Sequence, residues 1–287
     1  MSRRIARVAP AKVNLTLEVL GRRADGYHEL VSVFAAIDLV DEVGVAVART
    51  LDVRLSPDPG APPNDDLCAR AVRALAAATG REPRAAVRVR KRIPVAAGLG
   101  GGSSDAGATL RALVDLWRVE ADLPAIGATV GSDVPFFAAG AALALVRGRG
   151  ERIETIAPPA APLWLALVRP AARLTTATVF AGLGQTERSD GSASAGLRAA
   201  LESPTPDLGL VRSLLVNDLT AAAERACPPI TEARAAGAAL GIVLHLSGSG
   251  PTLFALCDDR ADAIRVARRL KRAGLRATPH AVAVPYR

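Results

Sequence analysis

The glycine-rich segment Pro94–Ser104, with the sequence PVAAGLGGGSS, contains residue types that suit anion binding. It follows an alternating, strand-like run and precedes a segment with helical periodicity. Glycines allow the backbone to curve with its N–H groups exposed, and a helix that begins directly behind them adds free donors and partial positive charge. We therefore expect this segment to hold nucleotide phosphates. It is not a Walker loop, because the lysine of GxxxxGK[ST] is absent.

Three other short segments contain groups that could act beside it. In GSDVP, Asp133 lies between Gly131 and Pro135, and the proline restrains the backbone, so the carboxylate can be held in place. In PAKVN, strand alternation places Lys12 and Asn14 on one face. In DGYH, Tyr27 and His28 put an aromatic ring beside an imidazole on a loop, where they could stack on a base.

Lys12 stands out because lysine is rare in this chain. Of the 36 Lys and Arg residues, only Lys12, Lys91 and Lys271 are lysines, which leaves 36 − 3 = 33 arginines. In such a chain, a lysine indicates a position that needs a compact ammonium. A second Gly/Ser turn, LSGSGP at 246–251, follows a strand-like run and could approach a phosphate or the first loop closely.

The elements that must position these groups are mixed without a strict βαβ rhythm, so the sequence predicts an α+β fold. Strands are predicted at 5–20, 31–37, 43–47, 86–93, 142–146, 163–168, 242–246, 253–257 and 278–284, and helices at 67–78 (capped by Asp65 or Asp66), 106–117, from 175 or 176, 210–224, 230–239 and 261–273. Prolines 158, 159 and 162 predict two domains, 1–157 and 158–287. Residues 182–209, rich in Gly, Ser, Asp and Pro, predict an exposed, mobile insertion.

Composition excludes several classes of protein. The chain has 287 residues, 50% hydrophobic and 22% charged, which is too apolar for a disordered chain. Its three cysteines form no CxxC pair, so we expect neither a disulfide framework nor a zinc site, and we expect a reduced compartment. No apolar run approaches a membrane span, and the first residues do not read as a signal peptide. We therefore expect a cytoplasmic protein that does not engage membranes.

These segments, in this order, resemble the kinase superfamily that includes galactokinase, homoserine kinase, mevalonate kinase and phosphomevalonate kinase, the GHMP kinases. The stretch PAKVNLTLEVLGRRADGYHEL is the most specific, because other members lack RADGYH after the first strand. It is similar to the branch whose acceptor carries cytidine diphosphate. PVAAGLGGGSSDAG resembles the phosphate loop of the superfamily, and GSDVPFF and LSGSGPTLFAL complete a pattern that runs from residue 10 to 256.

The resemblance implies a two-lobed α+β fold with the active site in the cleft between the lobes. It implies transfer of the γ-phosphoryl group of ATP, with Mg²⁺ bound to the nucleotide, to the 2-hydroxyl group of a cytidine-diphosphate-linked methylerythritol in non-mevalonate isoprenoid precursor synthesis. Asp133 matches the general base and Lys12 its charge-stabilising partner. The ATP loop corresponds to Pro94, Val95, Ala96, Ala97, Gly98, Leu99, Gly100, Gly101, Gly102, Ser103 and Ser104, and the substrate-binding positions correspond to Asn14, Tyr27, His28, Thr176 and Phe180. No residue is expected to hold a metal ion by itself, and we expect a monomer or homodimer.

The chain departs from the family pattern at three places. Ala96 replaces a usual glycine, and its methyl group would crowd a turn that needs positive φ. Gly107 replaces a usual alanine inside a helix, which costs up to about 1 kcal/mol of helix preference. The nucleotide-contacting asparagine of the family precedes a leucine, whereas here Asp66 precedes Leu67 and Asn64 lies two residues earlier. The sequence does not decide whether Asn64 or Asp66 contacts the nucleotide.

Two alternative functions stay open. The same scaffold could phosphorylate another small alcohol, such as homoserine or a mevalonate-type acceptor, although DGYH favours the cytidyl acceptor. The net charge of +8 and the RVRKR run at 88–92 could instead indicate a nucleic-acid-binding protein. Aromatic residues make up only 3% of the chain, which is few for a base-stacking surface. We therefore expect no nucleic-acid partner.

Overall fold

The computed structural model of the protein describes residues 3–57, 66–184, 187–282 and 286. Within these residues, helices and strands are mixed in one α+β structure, as the sequence predicts. The strands are β1 Arg4–Asn14, β2 Glu18–Arg22, β3 His28–Val47, β4 Asp52–Ser56, β5 Ala85–Arg90, β6 Leu143–Gly148, β7 Arg152–Ile156, β8 Leu163–Val168, β9 His245–Leu246, β10 Leu253–Cys257 and β11 Ala277–Val282. The helices are α1 Leu67–Thr79, α2 Gly101–Trp117, α3 Leu123–Val130, α4 Val134–Ala138, α5 Thr176–Ala181, α6 Ser192–Leu201, α7 Leu208–Ser213, α8 Thr220–Ala226, α9 Pro228–Ala239 and α10 Arg260–Arg272.

Strand β3 organises the first half of the chain. Its 20 residues replace the two separate strands that the sequence predicts at 31–37 and 43–47. Strands β1, β2, β5 and β6 all pair antiparallel with it along its length. The register of β1 on β3 shifts between Pro10 and Lys12, which marks an irregularity next to the lysine.

The two halves of the chain meet in a continuous sheet. Strand β11 pairs with β8 along its whole length and reaches β3 through Val282 and Ile37. One apolar core draws on both halves, since Val13 and Val33 share it with Leu165 and Phe254. Other cores lie between the α1–α2 pair and the first sheet and around α9 and α10. The boundary at residues 157 and 158 stays a prediction.

Helix α1 begins and ends almost as the sequence predicts. The carboxylate of Asp66 accepts hydrogen bonds from the backbone N–H groups of Cys68 and Ala69, which satisfies two of the helix's free donors. The helix ends at Gly80, which has φ 64°, the left-handed conformation that glycine adopts most easily. The carboxylate of Asp66 is therefore engaged as a helix cap. Asn64 lies outside the described residues.

Two predictions about irregular segments are wrong. GSDVPFF at 131–137 lies outside the predicted helices and is predicted as a short loop, whereas residues 134–138 form helix α4, with Asp133 directly before its first turn. The segment 182–209 is predicted to be an exposed insertion, whereas residues 192–201 form helix α6 and bury Leu197 and Leu201 completely. These two leucines join the core that both halves share, so burial of apolar area offsets the weak helix preference of the segment. The mobility of the remainder stays a prediction.

Gly107 in helix α2 has a packing role. A Cβ atom at this position would lie 2.6 Å from Cβ of Phe137 and 2.8 Å from the backbone nitrogen of Ala138. Helix α4 therefore packs directly on the backbone of α2. The helix preference lost at Gly107 is the cost of this close approach, which seats Asp133 at the beginning of α4.

We expect Gly107→Ala to destabilise the protein although alanine favours helices. Overpacking costs about 1–3 kcal/mol, which outweighs a gain of up to about 1 kcal/mol from helix preference. Urea denaturation should show the lower midpoint. Gly102→Ala in the same helix is the matched control, because its Cβ would meet only Leu67 Cδ1 at 3.5 Å. A Gly107→Ala variant as stable as the control would contradict the packing argument.

The remaining sequence expectations concern cysteines and membranes. Cys68, Cys227 and Cys257 are buried free thiols, as the absence of paired spacing predicts. In the described ranges, no helix is both long and apolar enough to cross a bilayer.

Candidate active site

A cleft of about 930 Å³ brings the singled-out segments together. Its walls come from β1, the Tyr27 turn and β3, the glycine segment, the turn before α4, helix α5 and the second Gly/Ser turn. Residues proposed from the sequence that line it are Lys12, Asn14, Tyr27, His28, Gly98, Gly100, Ser103, Asp133, Thr176 and Phe180. Residues separated by up to 168 positions therefore face one space.

The glycine segment forms a turn that leads directly into helix α2. The helix begins at Gly101, five residues before its predicted start, so 101–104 form its first turn. Gly98 and Gly100 have φ values of 74° and 70°, which glycine adopts without strain. No side chain caps the helix, and its first N–H groups remain available to an anion.

The second Gly/Ser turn packs against the first. A Cβ at Gly98 would lie 2.7 Å from the carbonyl oxygen of Gly250 and 3.0 Å from that of Ser247. Only glycine allows the two turns to come this close at positive φ. The predicted approach of LSGSGP to the first loop is therefore present.

Ala96 adopts a backbone conformation that glycine favours. Its φ is 55°, in the left-handed region. Its side chain is exposed, so the methyl group meets no core residue. The local cost of this conformation is about 1–2 kcal/mol. The turn thus keeps its shape in spite of the departure.

Not every residue of the glycine segment faces the cleft. Gly98, Gly100 and Ser103 line it, whereas Leu99 and Ser104 are buried beneath it. The carbonyl oxygen of Leu99 accepts a hydrogen bond from the backbone nitrogen of Lys12 at 2.9 Å. The segment is therefore fastened to β1 at its centre, and Leu99 and Ser104 shape it from below.

Lys12 and Asp133 form an ion pair in the cleft. Lys12 Nζ lies 3.5 Å from Asp133 Oδ2, and the side chains are 5% and 30% exposed, respectively. Lys12 Nζ also donates to Asn14 Oδ1 at 2.6 Å and lies 4.6 Å from the ring centroid of Phe34. The ammonium is held by three partners, while the carboxylate of Asp133 makes no cap hydrogen bond and stays open to the cleft.

Asn14 links this pair to the second Gly/Ser turn. Its Nδ2 donates to Ser32 Oγ at 2.9 Å, and its backbone nitrogen donates to Ser247 Oγ at 3.2 Å. Asn217 Nδ2 donates to the carbonyl oxygens of Leu246 and Gly248, both at 2.9 Å, and holds the turn from the other side. Sequence reasoning missed Asn217, because a lone asparagine in a helical region has no chemical signal.

The part of the cleft lined by Tyr27, His28 and Phe180 is called its aromatic end. Tyr27 is 56% exposed, and the Arg149 guanidinium lies 5.0 Å from its ring centroid. The rings of His28 and Phe180 stack at 4.9 Å. Burial, together with the charges of Arg188 and Arg22, lowers the pKa of His28 below its usual value. His28 is therefore neutral at pH 7 and can both donate and accept a hydrogen bond.

Several cleft residues carried no usable signal in the sequence. Arg149 and Arg188 line the aromatic end but are two of many arginines, so their charge did not distinguish them. Thr176 Oγ1 lies 3.0 Å from Ser249 Oγ, which joins helix α5 to the second turn. Ser249 belongs to LSGSGP, and its side chain is the part of that motif that reaches the predicted Thr176.

Comparisons with known proteins agree with this geometry. The family profiles described as GHMP kinases N terminal domain and GHMP kinases C terminal match residues 66–141 and 197–276. A curated 4-diphosphocytidyl-2-C-methyl-D-erythritol kinase of Mycolicibacterium gilvum (strain PYR-GCK) is 40% identical over 93% of this chain and 86% of its own. One from Verminephrobacter eiseniae (strain EF01-2) is 43% identical over 86% and 83%.

Solved structures extend the comparison. A crystal structure of a 4-(cytidine 5'-diphospho)-2C-methyl-D-erythritol kinase is 35% identical, covers 97% of this chain and 99% of its own, and superposes with a TM-score of 0.80. Homoserine kinase from Cytophaga hutchinsonii ATCC 33406 shares the fold, with a TM-score of 0.73 at 18% identity over 99% and 95% of the two chains. The chain therefore belongs to the 4-diphosphocytidyl-2-C-methyl-D-erythritol kinase family of the GHMP kinases.

Proposed function

We propose that this kinase transfers the γ-phosphoryl group of ATP to the 2-hydroxyl group of 4-diphosphocytidyl-2-C-methyl-D-erythritol, a step in non-mevalonate synthesis of isoprenoid precursors. The observation that carries the proposal is the Lys12–Asp133 pair, at 3.5 Å between Nζ and Oδ2. The pair lies in the same cleft as the Gly98–Gly100 turn and the exposed Tyr27. A phosphate site, an acid–base pair and an aromatic site are thus adjacent.

The glycine turn supports binding of the ATP triphosphate. Backbone N–H groups at the beginning of α2 present donors and partial positive charge to the phosphates. Ser103 lines the cleft beside them and can donate its hydroxyl proton to a phosphate oxygen. Bound with the nucleotide, Mg²⁺ would be held by phosphate oxygens, which are the hard oxygen ligands that it prefers. When bound, Mg²⁺ neutralises charge on the β- and γ-phosphates.

Asp133 acts as the general base in this proposal. The acceptor oxygen forms a bond to the γ-phosphorus, and the bond from that phosphorus to the β–γ bridging oxygen breaks. The proton of the acceptor hydroxyl passes to the Asp133 carboxylate, and ADP leaves. Lys12 orients the carboxylate and stabilises negative charge on the reacting oxygens, which is the main demand of phosphoryl transfer.

The aromatic end of the cleft supports recognition of the cytidine diphosphate. Tyr27 offers an exposed face for stacking, and His28 and Phe180 present a second aromatic surface. The neutral imidazole of His28 can bond to the edge of the base. Arg149 and Arg188 face the same space and complement a diphosphate. Asn14 and Thr176 line the same cleft and can contact the methylerythritol.

Tyr27→Ala should raise KM for the cytidyl acceptor about 5- to 150-fold, because base stacking contributes about 1–3 kcal/mol. The KM for ATP should stay unchanged, because the triphosphate is assigned to the glycine turn and helix α2, which the substitution does not alter. Steady-state kinetics with each substrate varied in turn measures the difference. Tyr27→Phe is the matched control because it keeps the stacking ring. An unchanged acceptor KM in Tyr27→Ala would show that Tyr27 does not bind the base.

A panel of acceptors tests the proposed function directly. ADP formation from ATP is measured with the cytidine-diphosphate-linked methylerythritol, homoserine and mevalonate as acceptors. We expect turnover with the first compound and a kcat/KM for the others that is lower by at least about 10³-fold, since those acceptors lack the base and diphosphate. Turnover of homoserine or mevalonate at a comparable kcat/KM would overturn the assignment of the acceptor.

A further inference from the structure

Below the glycine segment lies a buried charge cluster that the reaction above does not use. Lys91 Nζ donates to Asp41 Oδ2 and to Asp105 Oδ2, each at 2.5 Å. The side chains of Lys91, Asp41 and Asp105 are 7%, 0% and 1% exposed, respectively. Lys91 is one of only three lysines in an arginine-rich chain. Burying three charged side chains costs desolvation free energy, so the cluster is expected to have a structural or functional role.

The cluster contacts the chain at both ends of the glycine segment. On the entry side, Asp41 Oδ1 accepts hydrogen bonds from the backbone nitrogens of Arg92 and Ile93, the two residues before Pro94. On the exit side, Asp105 belongs to helix α2 directly after Ser104. The ammonium of Lys91 bonds to both carboxylates and so joins the two ends through β3.

The beginning of helix α2 rests directly on Lys91 and Ile93. A Cβ placed on Gly101 would lie 2.9 Å from Ile93 Cγ2 and 3.4 Å from Lys91 Nζ. The backbone nitrogen of Lys91 is fixed in turn by the carbonyl oxygen of Ser56 at 2.8 Å. A displacement of the ammonium would therefore move the turn that presents the N–H donors.

We propose that Lys91 is a positioning residue for the nucleotide triphosphate, held between Asp41 before the glycine segment and Asp105 after it. The proposal rests on the proposed function, because the turn that Lys91 supports is the one assigned to the phosphates of ATP.

The charges of the cluster favour retention of one proton at pH 7. One ammonium cannot neutralise two buried carboxylates, and a net negative charge in the interior is costly. Burial, together with the charge of Asp41, raises the pKa of Asp105 to about 8. Although burial opposes it, the two carboxylates raise the pKa of Lys91, which stays charged. Asp105 Oδ1 has no hydrogen-bond partner among the described residues.

The other titratable groups near the cluster do not supply the missing charge. From helix α1, Cys68 faces Asp105, and burial raises the pKa of its thiol well above the usual value, so it stays neutral. Asp66, at the start of α1, is acidic and occupied as the cap. With one proton held, the cluster is neutral at pH 7 and does not repel the phosphates above it. Above pH 8 a second buried carboxylate forms and opposes them.

The first test is nucleotide binding as a function of pH. The Kd for a non-hydrolysable ATP analogue with Mg²⁺ is measured by calorimetry between pH 7 and pH 9 without the acceptor. We expect a rise in Kd of at least about fivefold for the natural protein. In Asp105→Asn, a neutral amide replaces the protonated acid, and the rise should disappear. If the variant and the natural protein show the same rise, the retained proton is not at this cluster.

The second test separates positioning from general structure. Lys91→Met should raise the Kd for the analogue about tenfold or more and change KM for the cytidyl acceptor by less than about twofold. An equal loss for both substrates in folded protein would overturn the positioning role. Should Lys91→Met not fold, the pH test with Asp105→Asn still decides. Nucleotide binding that follows this pattern without phosphorylation of the acceptor would contradict the proposed function alone.

Discussion

Replacing Asp133 with asparagine should lower kcat by about 10²–10⁴-fold, the usual contribution of a general base. Asparagine has nearly the same shape but cannot accept the proton of the acceptor hydroxyl. The Asp133 side chain makes no cap hydrogen bond with helix α4, so the helix does not depend on its charge. Affinity for ATP should therefore change little, because the glycine turn and helix α2 are untouched.

Single-turnover kinetics at saturating substrates measures the loss in the chemical step. Asp258→Asn is the matched control, because Asp258 is 66% exposed and pairs with Arg212 on the surface. Exposed pairs of this kind contribute about 0–1 kcal/mol to stability and have no path to the cleft. An Asp133→Asn enzyme that turns over as fast as the control would remove Asp133 from the chemistry.

In the glycine segment, local sequence predicts the turn but not where the following helix begins. A strand, four glycines in five positions and a following helix predict an anion-binding turn. The structure has a turn that leads into helix α2, and its binding of an anion stays a prediction. The sequence predicts a helix from residue 106, five residues after its observed start, because Gly101 and Gly102 have weak helix preference. Gly101 packs closely on Ile93, and Lys12 anchors Leu99 directly before the helix. Those contacts join distant parts of the chain and leave no local pattern.

Helix α4 was missed for a related reason. The run VPFFA is short and continuously apolar, so its periodicity does not distinguish helix from loop. It is stabilised by burial of Phe136 and Phe137, and Gly107 on α2 leaves room for it. The composition of 182–209 is misleading for the same reason. Leu197 and Leu201 are fully buried, but they stand among small and polar residues in the sequence. In both segments tertiary packing overrides local preference.

The meeting of Lys12 and Asp133 marks the limit of what spacing alone predicts. They are 121 positions apart, on a strand and before a short helix, and no pattern measures the distance between them. The resemblance to a kinase family paired them, and the fold brings them to 3.5 Å. The rarity of lysine was an independent signal, and it singled out Lys91 equally, where a second buried lysine binds two carboxylates.

Lys12→Met should lower kcat by about 10²–10³-fold, comparable to the loss of one preorganised charge-stabilising donor. Methionine fills a similar volume against Phe34 but supplies no charge. The Asp133 carboxylate would lose the cation nearest to it, and the reacting oxygens would lose a stabilising charge. The loss of the bond from Lys12 to Asn14 costs about 1–3 kcal/mol of stability, so Tm is recorded alongside kcat.

The pairing of the two residues is tested by a double-mutant cycle. Lys271→Met is the matched control, since it removes an exposed lysine from the last turn of helix α10. If Lys12 acts by orienting Asp133 and sharing its charge, Lys12→Met combined with Asp133→Asn should be hardly slower than Asp133→Asn alone. Losses that multiply instead would mean that the ammonium and the carboxylate act on the phosphoryl group independently. The pair would then be two separate contributors that share a cleft, and the orienting role of Lys12 would be wrong.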